Sequence, residues 1–93
     1  MSLASWKIRL EKSAKKELAR LDRQAQADIW HYLWNRIASS EDPRAYGDPL
    51  RKDLAGLWKY RVGGYRVIVD IQDQEIVVLV VRAGHRKNVY GGH

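Results

Sequence analysis

The sequence contains no cysteine, which excludes disulfide bonds, thiolate metal ligands and a cysteine nucleophile. It has no long apolar run near its N-terminus, so neither a signal peptide nor a membrane span is predicted, and we expect a cytoplasmic protein. The histidines are scattered, and no carboxylate pair has the spacing of a metal site. A glycine-rich nucleotide-binding loop is also lacking. We therefore expect a function that uses no metal and no cofactor.

Positive charge is in clear excess. Lys and Arg total 17 against 11 acidic residues, for a net charge of +6 in 93 residues. This balance favours binding to nucleic acid, an acidic protein or another anionic surface. A chain of this length can bury one core but not two, so residues 1–93 are predicted to form a single domain.

Residues 57–69 predict a β-hairpin. Gly63 and Gly64 suit a two-residue turn, because glycine adopts the positive φ that such turns require. This turn places Arg61 opposite Arg66 and Lys59 opposite Ile68. Side chains alternate along a strand, so one face carries apolar residues that can pack a core: Trp58, Tyr60, Val62, Tyr65, Val67 and Val69. The other face carries Lys59, Arg61 and Arg66. Like charges directly opposite each other destabilise a sheet, so we interpret the arginine pair as a site for an anion such as phosphate.

The remaining pattern predicts an α+β domain: an N-terminal strand, a helical hairpin and then a three-stranded antiparallel sheet. Ser13 is predicted to cap the first helix and Asp22 the second. In the second helix, Trp30 and Trp34 are expected to pack in the core rather than to stack on bases. Strands are predicted at about 57–62, 65–72 and 75–82, the last of them buried and central, with Gly84 breaking it.

The C-terminal segment supplies a second set of polar side chains, with an imidazole, a guanidinium, an ammonium and a phenol within residues 85–90. If the last strand places this segment beside the hairpin, five side chains converge, with His85 at their edge: Lys59, Arg61, Arg66, Arg86 and Tyr90. For the segment alone, a solvated basic terminus is an equal alternative. Such a cluster suits metal-free cleavage of RNA, in which the 2′-hydroxyl attacks and fixed positive charge stabilises the phosphorane. Neighbouring cations favour the uncharged form of Lys59, which could then act as a general base.

The hairpin and tail together, Trp58–Val62, Gly64–Val67 and Gly84–Tyr90, resemble the RelE/ParE superfamily of bacterial toxins, and within it the RelE-type mRNA interferases. The resemblance implies a microbial-ribonuclease-like fold and a type II toxin that inhibits translation by cutting mRNA in the ribosomal A site. It also implies a cognate RelB-like antitoxin. By the same resemblance, Lys59 or Arg61 is the base or charge stabiliser, Arg66 clamps the phosphate, Arg86 contacts the transition state or leaving group, and Tyr90 stacks near the scissile nucleotide.

Two departures from the family pattern affect the assignment of the base. Arg61 occupies a position where the best-known member has lysine; arginine stays protonated and is a poor base, which shifts that role to Lys59. His85 also replaces a lysine, and it is an alternative acid or base. Two other functions remain open: a ParE-type inhibitor that binds DNA gyrase without catalysis, and a non-catalytic nucleic-acid-binding domain.

Overall fold

A computed structural model describes residues 5–85 of the chain. Five strands and two helices follow one another as β1 (Lys7–Leu10), α1 (Lys12–Ala19), α2 (Arg23–His31), β2 (Asp48–Pro49), β3 (Trp58–Val62), β4 (Tyr65–Gln72) and β5 (Val77–His85). The strands form one sheet in the order β1-β5-β4-β3-β2, with β1 parallel to β5 and the other pairs antiparallel. The predicted α+β class is confirmed. The sheet is larger than predicted, because the N-terminal strand joins it and β2 adds a short edge.

The hairpin of β3 and β4 has the predicted register. Arg61 pairs with Arg66 and Lys59 with Ile68. Gly63 adopts a φ of 61°, whereas Gly64 does not have a positive φ, so a single left-handed residue closes the turn. The apolar face is also confirmed, since Tyr60 is fully buried and Tyr65 packs against the core.

Of the two helix N-caps predicted from the sequence, one is confirmed and one is wrong. Asp22 caps α2 as expected, its carboxylate accepting a 2.7 Å hydrogen bond from the Ala25 N–H. The prediction that Ser13 caps α1 is wrong, because Glu11 occupies the capping position and makes no side-chain cap bond. The Glu11 N–H still bonds to the Val80 carbonyl. The chain therefore passes from the sheet into the helix without a linker, and Ser13 already lies in the first turn.

The expected burial of Trp30 and Trp34 is also wrong. Their side chains are 37% and 43% exposed, and their rings lie side by side with centroids 4.4 Å apart. The buried stripe of the second helix consists of Ala25, Ile29, Leu33 and Ile37. It continues through a π-helical turn over Tyr32–Ile37. Each tryptophan is one residue beyond a member of this stripe, so both lie at the margin of the buried face, where they line grooves together with Ile8 and Leu10 of β1.

The last strand is shifted along the chain relative to the prediction. Residues Asp73–Glu75 form a 3₁₀ turn, and Ile76 follows with a φ of 55° and 49% exposure, so β5 begins at Val77. Gly84 does not break the strand but pairs with Arg66 inside it. The predicted central position is confirmed, because β5 lies between β1 and β4.

The main core lies between the helices and one face of the sheet. Its largest fully buried side chain is Tyr60, whose hydroxyl donates a 2.8 Å hydrogen bond to the Pro43 carbonyl. Burial raises the pKa of Tyr60. Among residues 5–85, every buried side-chain nitrogen and oxygen has a hydrogen-bond partner, and no helix is long and apolar enough to cross a membrane.

Candidate functional site

Three basic side chains share the face of the hairpin that points away from the helices. Arg61 on β3 and Arg66 on β4 are direct cross-strand partners, and Lys59 lies two residues before Arg61 on the same strand. Residues paired in this way have Cβ atoms roughly 5 Å apart. Arg61 is exposed, whereas Lys59 and Arg66 are half-buried. The fold thus brings together the three hairpin cations that the sequence singled out.

The charge of the arginine pair is uncompensated within the described part of the chain. The salt bridges found among residues 5–85 join Arg44 to Asp73 and Arg82 to Glu17, and neither includes Arg61 or Arg66. Arg66 donates one hydrogen bond, of 3.1 Å from Nη1, to the adjacent Tyr65 carbonyl. This bond holds the guanidinium close to the strand and leaves most of its donors available to an anion.

Gly84 of β5 lies directly opposite Arg66, on the same face of the sheet as the arginine pair. A Cβ atom built at Gly84 would have no neighbour within 4 Å among residues 5–85, and the φ of Gly84 is not positive. Neither the backbone conformation nor packing against the described residues therefore requires glycine here. The local sequence predicted a strand break at Gly84 and gave no sign that it lies beside Arg66. An isolated glycine inside an alternating strand is the signal that could have identified it, because such glycines mark close approach of a ligand or backbone.

A carboxylate anchors the strand that carries Gly84. The strand β1 ends opposite Val80, and beyond that point Glu17 of α1 covers the edge of β5. Glu17 accepts a 2.9 Å bond from the Ala83 N–H through one oxygen and a 2.9 Å bond from Arg82 Nε through the other. These bonds satisfy a strand-edge donor that would otherwise lack a protein partner, and they fix the backbone next to the candidate site.

His85 lies on the other face of the sheet from the three cations. It pairs with Tyr65, and the two rings meet edge to face with centroids 5.7 Å apart. Tyr65 belongs to the apolar face, so the imidazole lies on the helix side at the hairpin end of the sheet. The fold does not group His85 with Lys59, Arg61 and Arg66.

The two tail residues, Arg86 and Tyr90, lie outside the described residues. Among residues 5–85 no group of three His, Asp or Glu side chains could hold a metal ion. Within residues 5–85, one face of the sheet presents the Arg61–Arg66 pair beside Gly84, with Lys59 two residues away and opposite Asp48 of β2. Chemically, such a group of cations can bind a phosphodiester and stabilise additional negative charge on it.

Comparison with known proteins assigns the family. Residues 8–90 match the family of ParE toxins of type II toxin–antitoxin systems. Toxin RelG of Mycobacterium tuberculosis is 30% identical over 83 residues, covering 89% of this chain and 93% of RelG. Toxin RelE of the same organism is 29% identical over 83 residues, covering 89% of this chain and 84% of that toxin.

Solved structures agree with the family match. A chain of the M. tuberculosis RelBE2 toxin–antitoxin complex superposes with a TM-score of 0.82 at 26% identity, over 94% of this chain and 98% of that one. The isolated Escherichia coli RelE toxin gives a TM-score of 0.69 at 22% identity, over 87% of this chain and 84% of that one, and shows the shared fold. The chain therefore belongs to the ParE toxin family, within the RelE/ParE superfamily of type II toxins.

Proposed function

We propose that this toxin inhibits translation as an endoribonuclease that cleaves mRNA in the ribosomal A site without a metal ion. One observation carries the proposal: within residues 5–85 the Arg61–Arg66 pair has no salt-bridge partner, and no described atom lies within 4 Å of a Cβ built at the neighbouring Gly84. A like-charge pair lowers the stability of the fold. Its presence is most simply explained by a ligand whose negative charge offsets the repulsion, and the RNA backbone has that charge.

The proposed reaction uses the nucleophile of the RNA itself. The 2′-oxygen attacks the adjacent phosphorus, its proton passes to a base, and the bond to the 5′-oxygen breaks as that oxygen takes up a proton. The products are a 2′,3′-cyclic phosphate and a 5′-hydroxyl. Arg61 and Arg66 hold the phosphate and stabilise the charge that develops on it. Because His85 lies on the opposite face of the sheet, we assign the role of general base to Lys59, which lies on the same face as the two arginines.

The tail residues complete the proposed site through the family resemblance. Arg86 contacts the transition state or the leaving group, and Tyr90 stacks on a base near the scissile bond. We further propose a cognate RelB-like antitoxin, because structural relatives such as M. tuberculosis RelBE2 and E. coli RelBE are toxin–antitoxin complexes.

Purified toxin on ribosomes programmed with a defined mRNA tests the proposal. Arg66→Ala and Arg86→Ala should each lower A-site cleavage by on the order of 10²-fold, as loss of a charge contact to the transition state does. The matched control is Arg23→Ala, since Arg23 is exposed at the start of α2, and it should cleave like the wild type. Full activity of both site variants would refute the assignment.

Gyrase inhibition is the second candidate, because the matching family is that of ParE toxins. The two functions separate in parallel assays of DNA supercoiling and mRNA cleavage with the same toxin preparation. A ParE-type toxin would block supercoiling and leave ribosome-bound mRNA intact. The proposed enzyme would cleave that mRNA and leave supercoiling unchanged. A non-catalytic nucleic-acid-binding domain would bind RNA but do neither.

A further inference from the structure

A polar pocket lies on the helix side of the sheet, beside the end of β3 at the hairpin turn. Its volume is about 500 Å³, which is within the range of small-molecule sites. Val62, which packs against the core, forms part of its wall, so the pocket and the Arg61–Arg66 pair lie on opposite faces of the sheet. The polar and aromatic residues that line it include Asp28, His31, Tyr32, Asn35, Arg36 and Tyr46.

The second helix and the π-helical turn after it place the lining groups on one side. Asp28, Tyr32 and Arg36 recur at intervals of four residues, which puts them on the same helix face. The turn itself spans Tyr32–Ile37, and π-helical turns within longer helices are frequent at functional sites. The Tyr32 ring packs against the buried Tyr60 ring with centroids 5.7 Å apart. This wall of the pocket is therefore fixed to the core of the fold.

Two tyrosine rings of the pocket hold a guanidinium in place. The Cζ atom of Arg36 lies 5.9 Å from the centroid of the Tyr32 ring and 5.7 Å from that of the Tyr46 ring. Within residues 5–85, Arg36 takes part in no salt bridge, although Asp28 lines the same pocket. The guanidinium thus has N–H donors available to a ligand, and its planar fork matches the oxygen atoms of a phosphate.

Other groups in the pocket suit the base of a nucleotide. Tyr46 is 43% exposed, so part of its ring is open to stacking. The Asp28 carboxylate accepts a 2.8 Å hydrogen bond from the Gln24 amide and has further lone pairs that accept bonds from the N–H groups of a base. An acidic peptide would also match Arg36, but the Asp28 carboxylate would repel it. The combination of cation, carboxylate and open ring therefore favours a nucleotide.

We propose that this pocket binds one unpaired nucleotide, with its base stacked on Tyr46 and bonded to Asp28 and its phosphate bound by Arg36. Guanine fits Asp28 best, because its ring N–H and its 2-amino group lie side by side and match the two carboxylate oxygens. The same chemistry recognises a free nucleotide and a nucleotide of an RNA strand. The proposal goes beyond mRNA cleavage, and a toxin that cuts no RNA would still bind the nucleotide.

NMR titration of the purified toxin with guanosine 5′-monophosphate (GMP) tests the proposal. Saturable shifts should appear at the amides of Asn35 and Ser39, which line the pocket. Inosine 5′-monophosphate lacks the 2-amino group of GMP and should bind about 10-fold more weakly, because a hydrogen bond to a charged group is lost. Arg36→Gln and Tyr46→Ser should each weaken GMP binding about 5-fold or more.

Two exposed residues outside the pocket provide matched controls. Arg23 lies on the same helix, Trp34 is 43% exposed like Tyr46, and neither lines the pocket. Arg23→Gln and Trp34→Ser should therefore bind GMP like the wild type. The proposal would be overturned by a lack of saturation at about 10 mM GMP, by shifts confined to the hairpin, or by an acidic peptide that binds the pocket more tightly than GMP.

A short single-stranded RNA with one central guanosine distinguishes the two sources of the nucleotide. It is titrated into a toxin carrying Arg61→Gln/Arg66→Gln, so that binding at the hairpin does not mask binding at the pocket. If the pocket holds a nucleotide of an RNA strand, this RNA binds more tightly than GMP, and Arg36→Gln removes the difference. If the pocket holds a free nucleotide, GMP binds more tightly. Both results support a nucleotide site, whereas RNA and GMP affinities that are both unchanged by Arg36→Gln would contradict it.

Discussion

Replacing one arginine of the Arg61–Arg66 pair should make the protein more stable and less active. The residues are direct cross-strand partners. Opposed like charges cost about 0.2–1 kcal/mol, comparable to the gain from a favourable pair. In a domain of this size each kcal/mol shifts the melting temperature by about 4–8 °C. Arg61→Gln, which keeps most of the aliphatic stem, should therefore raise the melting temperature by about 1–8 °C at low salt.

A double-mutant cycle measures this repulsion. Arg61→Gln and Arg66→Gln should each stabilise the protein, and the double variant should gain less than the sum, because the first change already removes the repulsion. In 1 M salt the screening length falls to about 3 Å, so the gains should shrink. The control is Arg9→Gln, since Arg9 faces Leu79 rather than a cation. Lower melting temperatures for both single variants at low salt would refute the reasoning.

Three further substitutions test how the fold supports the site. Tyr60→Phe removes the buried bond to the Pro43 carbonyl and should lower the free energy of unfolding by about 1–3 kcal/mol in denaturant titrations. Burial raises the pKa of Tyr60 in the folded protein, so above about pH 10 the unfolded chain loses the Tyr60 hydroxyl proton while the folded protein keeps it. Above this pH, the stability of the wild type should therefore fall more steeply than that of Tyr60→Phe. Glu17→Gln should cost about 1–2 kcal/mol by weakening the bond to Arg82, and hydrogen exchange at the end of β5 should become faster. Gly84→Ala should leave the melting temperature equal or higher, since a Cβ meets no atom of residues 5–85 within 4 Å. On ribosomes, mRNA cleavage should drop about 10-fold or more if the added methyl displaces the phosphate, and unchanged cleavage would remove Gly84 from the site.

The register of the hairpin could be predicted residue by residue because neighbouring residues in the sequence determine it. A two-glycine turn fixes the register, and the register then places Arg61 opposite Arg66. The cap at Asp22 is equally local, since its carboxylate bonds to a residue three positions away. Turn and cap chemistry depend on neighbouring residues, which the sequence supplies directly.

The sequence-based predictions failed where contacts between distant parts of the chain determine the structure. Whether Trp30 is buried depends on how much of the helix the sheet covers, and periodicity alone does not determine that. Gly84 continues β5 because Arg66 on β4 pairs with it, a contact invisible in the local sequence. The separation of His85 from the cations likewise follows from its pairing with Tyr65, which depends on where β5 ends.

The most direct test of the central proposal is cleavage of mRNA whose A-site codon lacks a reactive 2′-hydroxyl. Ribosomes are programmed with two mRNAs that differ only in 2′-O-methylation of that codon, and each is incubated with wild-type toxin. We predict cleavage of the unmodified mRNA alone, with a 2′,3′-cyclic phosphate or the derived 3′-phosphate at the cut end. Equal cleavage of both mRNAs would contradict the mechanism, and intact unmodified mRNA would contradict the proposed nuclease function.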